Sequence, residues 1–194
     1  GLRRGLAIGV LAALHLGALA VMLWSEPDLI GKAAFLLAWG ILNALWLLLL
    51  RRPAASAALA MTMLMLLIAL SVFKHDVLFM TVSFTVVLVV DTDTLWFLFD
   101  TFTDLGWYAT VAAVIVAPLL VVTFWLDPLR VRARTALVGL IVCFALLAGL
   151  SFAVPLDREE EFIRNRFLSK FARSGAVAAV DLLTRGILEA DARA

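Results

Sequence analysis

Apolar residues along this chain gather in long unbroken runs rather than in short periodic faces. Five runs, 5–24, 33–50, 54–72, 107–126 and 135–154, contain no Lys, Arg, Asp or Glu. A hydrocarbon core of ~30 Å takes roughly 20 helical residues at ~1.5 Å each. Each run therefore predicts one transmembrane helix, the form in which a single segment satisfies its own backbone in lipid. The expected fold class is all-α, a polytopic integral membrane protein with a five-helix transmembrane domain over residues 1–154.

Composition agrees with this reading. Of 194 residues, 64% are hydrophobic and 16% charged, whereas a soluble domain carries ~45–50% and ~25%. One cysteine cannot form a disulfide within the chain, and a net charge of +1 gives no footprint for a nucleic-acid partner.

The placement of charge between the runs sets an expected orientation, because short cytoplasmic loops carry the excess of Lys and Arg. Arg3, Arg4, Arg51, Arg52, Arg130, Arg132 and Arg134 fall on one side. The other side receives Lys32 and Lys74 together with Glu26, Asp28, Asp76, Asp91, Asp93, Asp100 and Asp104. This predicts the N-terminus inside and residues 155–194 outside. Arg3, Arg4 and the small residues at 18–20 also fit a signal peptide, but the apolar run continues past that cleavage site to Trp24.

Between the third and fourth runs, residues 77–90 form an uncharged stretch too short to span comfortably. As a lone crossing it would turn Arg130, Arg132 and Arg134 outward, so a helix at the outer interface is expected. The aromatic segment 95–99 follows it, and residues 73–106 together would form an outer shelf at headgroup depth.

Past Pro155 the chain becomes charged. Phe162, Ile163, Phe167 and Phe171 predict an amphipathic helix ending at Gly175, and Val177, Val180, Leu183 and Ile187 predict a second, interrupted at Gly186. Residues 155–194 are thus expected to be water-facing juxtamembrane helices. The chain begins without Met and stops at Ala194 in mid-pattern, which suggests a piece of a longer protein.

Candidate chemistry is sparse. Lys74 and His75, at the outer end of the third run, are the candidate lipid- or phosphate-binding residues, since an ammonium there can hold a lipid phosphate. The alternative is an ordinary snorkelling lysine. His75, Asp76, Asp91 and Asp93 have metal-ligand character but no motif spacing, and they read as a solvated acidic loop. His15 and Asn43, both within spans, are expected to hydrogen-bond to neighbouring helices, and Gly5, Gly9, Ala13 and Gly17 form a small-residue strip suited to helix packing. Pro118 is expected to kink the fourth span. No catalytic motif is present, so no catalytic residue and no metal site is assigned.

The stretch Ser71-Val72-Phe73-Lys74-His75-Asp76, residues 77–90 and Asp91-Thr92-Asp93-Thr94 resembles the membrane portion of the sulfatase-fold transferases. These are bacterial envelope enzymes related to lipoteichoic acid synthase and the phosphoglycerol and phosphoethanolamine transferases. The tail from Glu161 to Gly186 is similar to their link toward the catalytic domain. The resemblance implies a multi-pass protein of the bacterial cytoplasmic membrane that anchors an extracytoplasmic catalytic domain and presents a lipid-linked donor to it. It implies membrane lipids and that downstream domain as partners, with Mn²⁺ or Zn²⁺ bound in the domain and no cofactor in this segment. The chain departs from many relatives in having no acid between Lys74 and Asp91 apart from Asp76. A complete small membrane protein, acting as a non-enzymatic assembly factor or transporter subunit, remains the alternative.

Overall fold

A computed structural model describes residues 1–79, 84, 92–155 and 166–191. Its elements are α1 (Leu2–Ser25), α2 (Leu29–Leu50), α3 (Pro53–Leu78), α4 (Thr92–Thr101), α5 (Thr103–Leu126), α6 (Ala133–Ala153) and α7 (Phe167–Asp191), with no strand among the described residues. Five of these helices, α1, α2, α3, α5 and α6, are long and apolar enough to cross a membrane. They coincide with the five uncharged runs to within a turn, except that α3 continues past Val72 through Phe73, Lys74, His75 and Asp76.

Short connections make successive helices antiparallel. Only Arg51 and Arg52 separate α2 from α3; Arg51 takes the left-handed conformation at φ 57° and Pro53 opens the next helix. Proline suits that first position because its missing N–H would have no intrahelical partner there. The Val131 amide donates to Arg51 O at 3.1 Å, so the α2–α3 and α5–α6 connections meet at one end of the bundle. Arg51, Arg130, Arg132 and Arg134 ring an open hollow of about 740 Å³ at this arginine-rich end. Asp127 is buried there, accepting from the Ala54 and Ala55 amides at 2.8 and 3.2 Å and from the Leu129 amide at 2.9 Å.

α2 is the central helix, touching α1, α3, α6 and α7. Small residues let its neighbours approach, the mode of packing expected where lipid supplies no hydrophobic drive between helices. Ala38 and Ala60 are buried in one cluster with Phe35, Trp39 and Leu64, and Ala34 in a second with Leu147 and Ala176. At Gly40 a β-carbon would lie 2.8 Å from Cys143 Sγ, so glycine is what allows α2 and α6 to meet there.

The small-residue strip of α1 is placed otherwise than expected. Gly5, Gly9 and Ala13 are exposed, and only Gly17 meets a neighbour, the methyl end of Met61. α1 buries Ala7, Ala18 and Met22 instead, the last two in the core cluster with Phe35, Trp39 and Leu64. α5 runs through Pro118 as one helix, with no buried residue in its apolar window. Its junction with α4 is tied to α3 by Phe102 and Phe73, edge to face at 5.0 Å. Most of the expected shelf at 77–90 lies outside the described residues; α4 covers the aromatic segment 95–99 and exposes Trp96.

The largest departure from expectation is α7. It is one continuous helix through Gly175 and Gly186, and its first half packs against α2, α3 and α6 rather than facing water. Phe167, Leu168, Ser169, Lys170, Arg173 and Ala176 are all buried. A glycine inside a helix costs only ~1 kcal/mol, and close packing offsets that cost at Gly175, where a β-carbon would sit 3.2 Å from the Phe84 ring. The expected helical turns at 159–165 lie outside the described residues.

Candidate functional site

At the end of the bundle opposite the arginines, the turn between α1 and α2 receives the start of α7. Glu26 ends α1, its amide donating to Met22 O at 2.9 Å, and Asp28 caps α2, accepting from the Gly31 amide at 3.2 Å. Arg166, left-handed at φ 71°, donates its own amide to Ser25 O at 3.0 Å and pairs its guanidinium Nε with Asp28 Oδ1 at 3.3 Å. One turn into α7, the Ser169 hydroxyl donates to Glu26 Oε2 at 2.7 Å and the Ser169 amide to Oε1 at 3.4 Å. The carboxyl of Glu26 thus serves as an acceptor for the first turn of α7, whose free amides have no intrahelical partner.

Glu26 is fully buried, at 0% exposure. Desolvation pushes its carboxyl up to about 7; the Ser169 hydroxyl and amide pull it down, Asp28 raises it further and Arg166 lowers it. Only glycine fits beside it, because a β-carbon at Gly31 would lie 2.5 Å from Glu26 Oε2 and 2.8 Å from Asp28 Oδ1. Further along α7, the Arg173 guanidinium donates to Val154 O at the end of α6, and the Ser174 hydroxyl accepts from the Phe84 amide at 3.1 Å.

Below this polar collar lies a cavity of about 470 Å³ between α2, α3, α6 and α7. Its lining is apolar throughout and includes Leu42, Met63, Leu70, Phe144, Leu168 and Ala176. Leu42 and Met63 lie deep within α2 and α3, so the cavity extends inward from the outer end of the bundle, where α7 docks. Ala172, Gly175, Ala176 and Ala179 form the α7 wall, leaving room where larger side chains would fill it.

Of the residues singled out in the sequence, Lys74 and His75 are half-buried in the last turns of α3. Lys74 continues the face of α3 that carries Met63, Leu67 and Leu70, residues that line the cavity. His75 Nδ1 lies 3.7 Å from Asp76 Oδ1, and its ring meets Phe79 edge to face at 6.3 Å. Asp91 lies outside the described residues and Asp93 is exposed; no group of three His, Cys, Asp or Glu side chains among the described residues could hold a metal.

Two spans carry polar side chains that bond within their own helix rather than across to a neighbour. His15 Nδ1 contacts Leu11 O at 2.9 Å, its ring standing edge to face on Trp39 at 5.7 Å, and the Asn43 amide donates to Trp39 O at 2.8 Å. A carbonyl one turn back is always within reach of a short polar side chain on a helix, whereas a cross-helix partner has to be supplied.

Sequence reasoning missed Glu26, Ser169 and Arg166 as a unit. The available signal was an acid followed by Pro27 and Asp28 in a short turn between spans, alongside a Ser and two cations at helical spacing in the tail. Compared with family models, curated proteins and solved structures, the chain matches none.

Proposed function

We propose that this chain is the membrane anchor and lipid-presenting platform of a bacterial envelope transferase of the sulfatase fold. The observation that carries the reading is the apolar cavity between α2, α3, α6 and α7, with Lys74 continuing its α3 face toward the end of the bundle. An acyl chain fits such a lining, and an ammonium at its upper edge suits a lipid phosphate. In this reading the arginine-rich end faces the cytoplasm, following the positive-inside rule, and α7 leads outward from the bundle toward a catalytic domain. The metal and the reaction belong to that domain, and the helices described here hold and orient a lipid-linked donor.

The test is transfer by the full-length enzyme carrying Lys74→Ala. Transfer from a lipid donor should fall at least tenfold while hydrolysis of a soluble donor is retained. Equal activity on both would remove the lipid-presenting role. An impermeant reagent that labels the connection around Arg132 in intact cells would overturn the orientation.

A further inference from the structure

We propose that Glu26 and the first turn of α7 form a proton-sensitive latch: α7 is held against the α1–α2 turn when Glu26 carries a proton and loosens when Glu26 is ionised. The proposal goes beyond the transferase reading and needs no catalytic domain. It stands on the geometry of the turn. Ser169 gives Glu26 both its hydroxyl, at 2.7 Å, and its amide, at 3.4 Å, so this carboxyl and α7 cannot separate without exposing one another. The same turn is also held by the pair of Asp28 and Arg166 and by the Arg166 amide on Ser25 O, and a turn later Arg173 donates to Val154 O.

Among the described residues, the charges acting on Glu26 are Asp28, on its own turn, and Arg166, from α7. They oppose one another and already pair together, so they leave the burial of the carboxyl as the deciding influence. Lys170, also buried, follows Ser169 in the same turn, while Arg173 is directed to Val154 O. A neutral carboxyl can keep the Ser169 hydroxyl and amide as partners without carrying a charge out of water; an ionised one keeps the same bonds but bears the full cost of desolvation.

Releasing α7 returns Glu26 to water, where it ionises near 4.5 rather than about 7. Docking is therefore tightest in acid and weakens as pH rises through that interval, by up to about three hundredfold in the docked-to-released ratio, since each unit is tenfold. Because α7 forms one wall of the apolar cavity, its loosening opens the cavity sideways.

Spin labels on the full chain in lipid nanodiscs test this. Leu29→Cys and Leu182→Cys, both at exposed positions, are labelled in a Cys143→Ser background that removes the native thiol. The expected result is one narrow distance at pH 5.5 and a second, longer population at pH 8.5, with Glu26→Gln giving the narrow distance at both. Identical distributions at the two pH values would overturn the latch, and this comparison needs no further variant. A Glu26→Gln chain that still responds to pH would also overturn it, assigning the response to another group. Loss of lipid transfer in Lys74→Ala bears on neither outcome.

Discussion

The Ser169 hydroxyl donates to Glu26 Oε2 at 2.7 Å across 143 residues of sequence, joining the tail helix to the turn that follows the first span. This bond places an ionisable group at the point where a charged segment enters an apolar bundle. Around it, cations of the segment find acceptors at the same end of the bundle, Arg166 at Asp28 and the buried Arg173 at the Val154 carbonyl.

Ser169→Ala should destabilise the bundle by about 1–3 kcal/mol, because a buried carboxyl loses a hydroxyl donor and water cannot replace it. The Ser169 bonds favour the charged form of Glu26, so the loss should be larger at pH 8 than at pH 5. Thermal melting of the purified protein in detergent at the two pH values reads the difference. An equal shift at both would mean that Glu26 has the same protonation state throughout.

Glu26 also predicts the pH dependence of overall stability. Its carboxyl is raised from 4.5 in the unfolded chain to about 7 in the fold. The sign follows from linkage: the contribution is fully present below 4.5 and is lost as pH rises through about 7. At about 1.4 kcal/mol per unit the loss is bounded near 3 kcal/mol. Melting temperature should fall from pH 5 to pH 8 in the natural chain and stay flat in Glu26→Gln.

Gly31→Ala should cost about 1–3 kcal/mol, the usual range for overpacking a filled site. The added carbon would fall 2.5 Å from Glu26 Oε2 and 2.8 Å from Asp28 Oδ1, and Asp28 cannot withdraw without giving up the α2 cap. If the clash with Glu26 dominates, Gly31→Ala combined with Glu26→Ala should cost less than the sum of the two single changes. Strict additivity in a melting series would show that the turn absorbs the methyl group elsewhere.

The five spans were legible because lipid imposes one requirement on every crossing residue, and a run of 18 to 20 uncharged residues has few other uses. The place of α7 was not legible for the converse reason. Lys170 and Arg173 read as water-facing when taken alone, yet both are buried, and Arg173 donates to Val154 O, which no local pattern connects to it. Ala172, Gly175, Ala176 and Ala179 mark the packed face by size rather than by hydrophobicity, and a search for large apolar residues at helical spacing passes over them. The reverse error arose on α1, where Gly5 and Gly9 have the spacing of a packing strip but no helix against them among the described residues. Lys74 and His75 were legible as a pair at the end of a span, although α3 carries them as helix rather than as loop.

Asp127 supports the opposite end of the bundle and offers the last test. Arg52, at the N-cap position of α3, makes no capping bond with its side chain; its guanidinium instead donates to Phe124 O and lies 4.1 Å from the centre of the Phe124 ring. The first-turn amides of α3 are answered from another connection altogether, by Asp127 Oδ2 at 2.8 Å from Ala54 and 3.2 Å from Ala55. Its second oxygen takes the Leu129 amide at 2.9 Å, so one buried carboxylate closes the α5–α6 connection and caps α3 together. Asp127→Ala should therefore cost about 2–3 kcal/mol, above a typical cap because three amides lose their acceptor. Asp127→Asn, which keeps one carbonyl oxygen, should cost less. Asp93→Ala, at an exposed position, should change stability by no more than about 0.5 kcal/mol. Melting of the three variants side by side decides the matter, and an Asp127→Ala chain as stable as Asp93→Ala would show that the two connections hold together without the carboxylate.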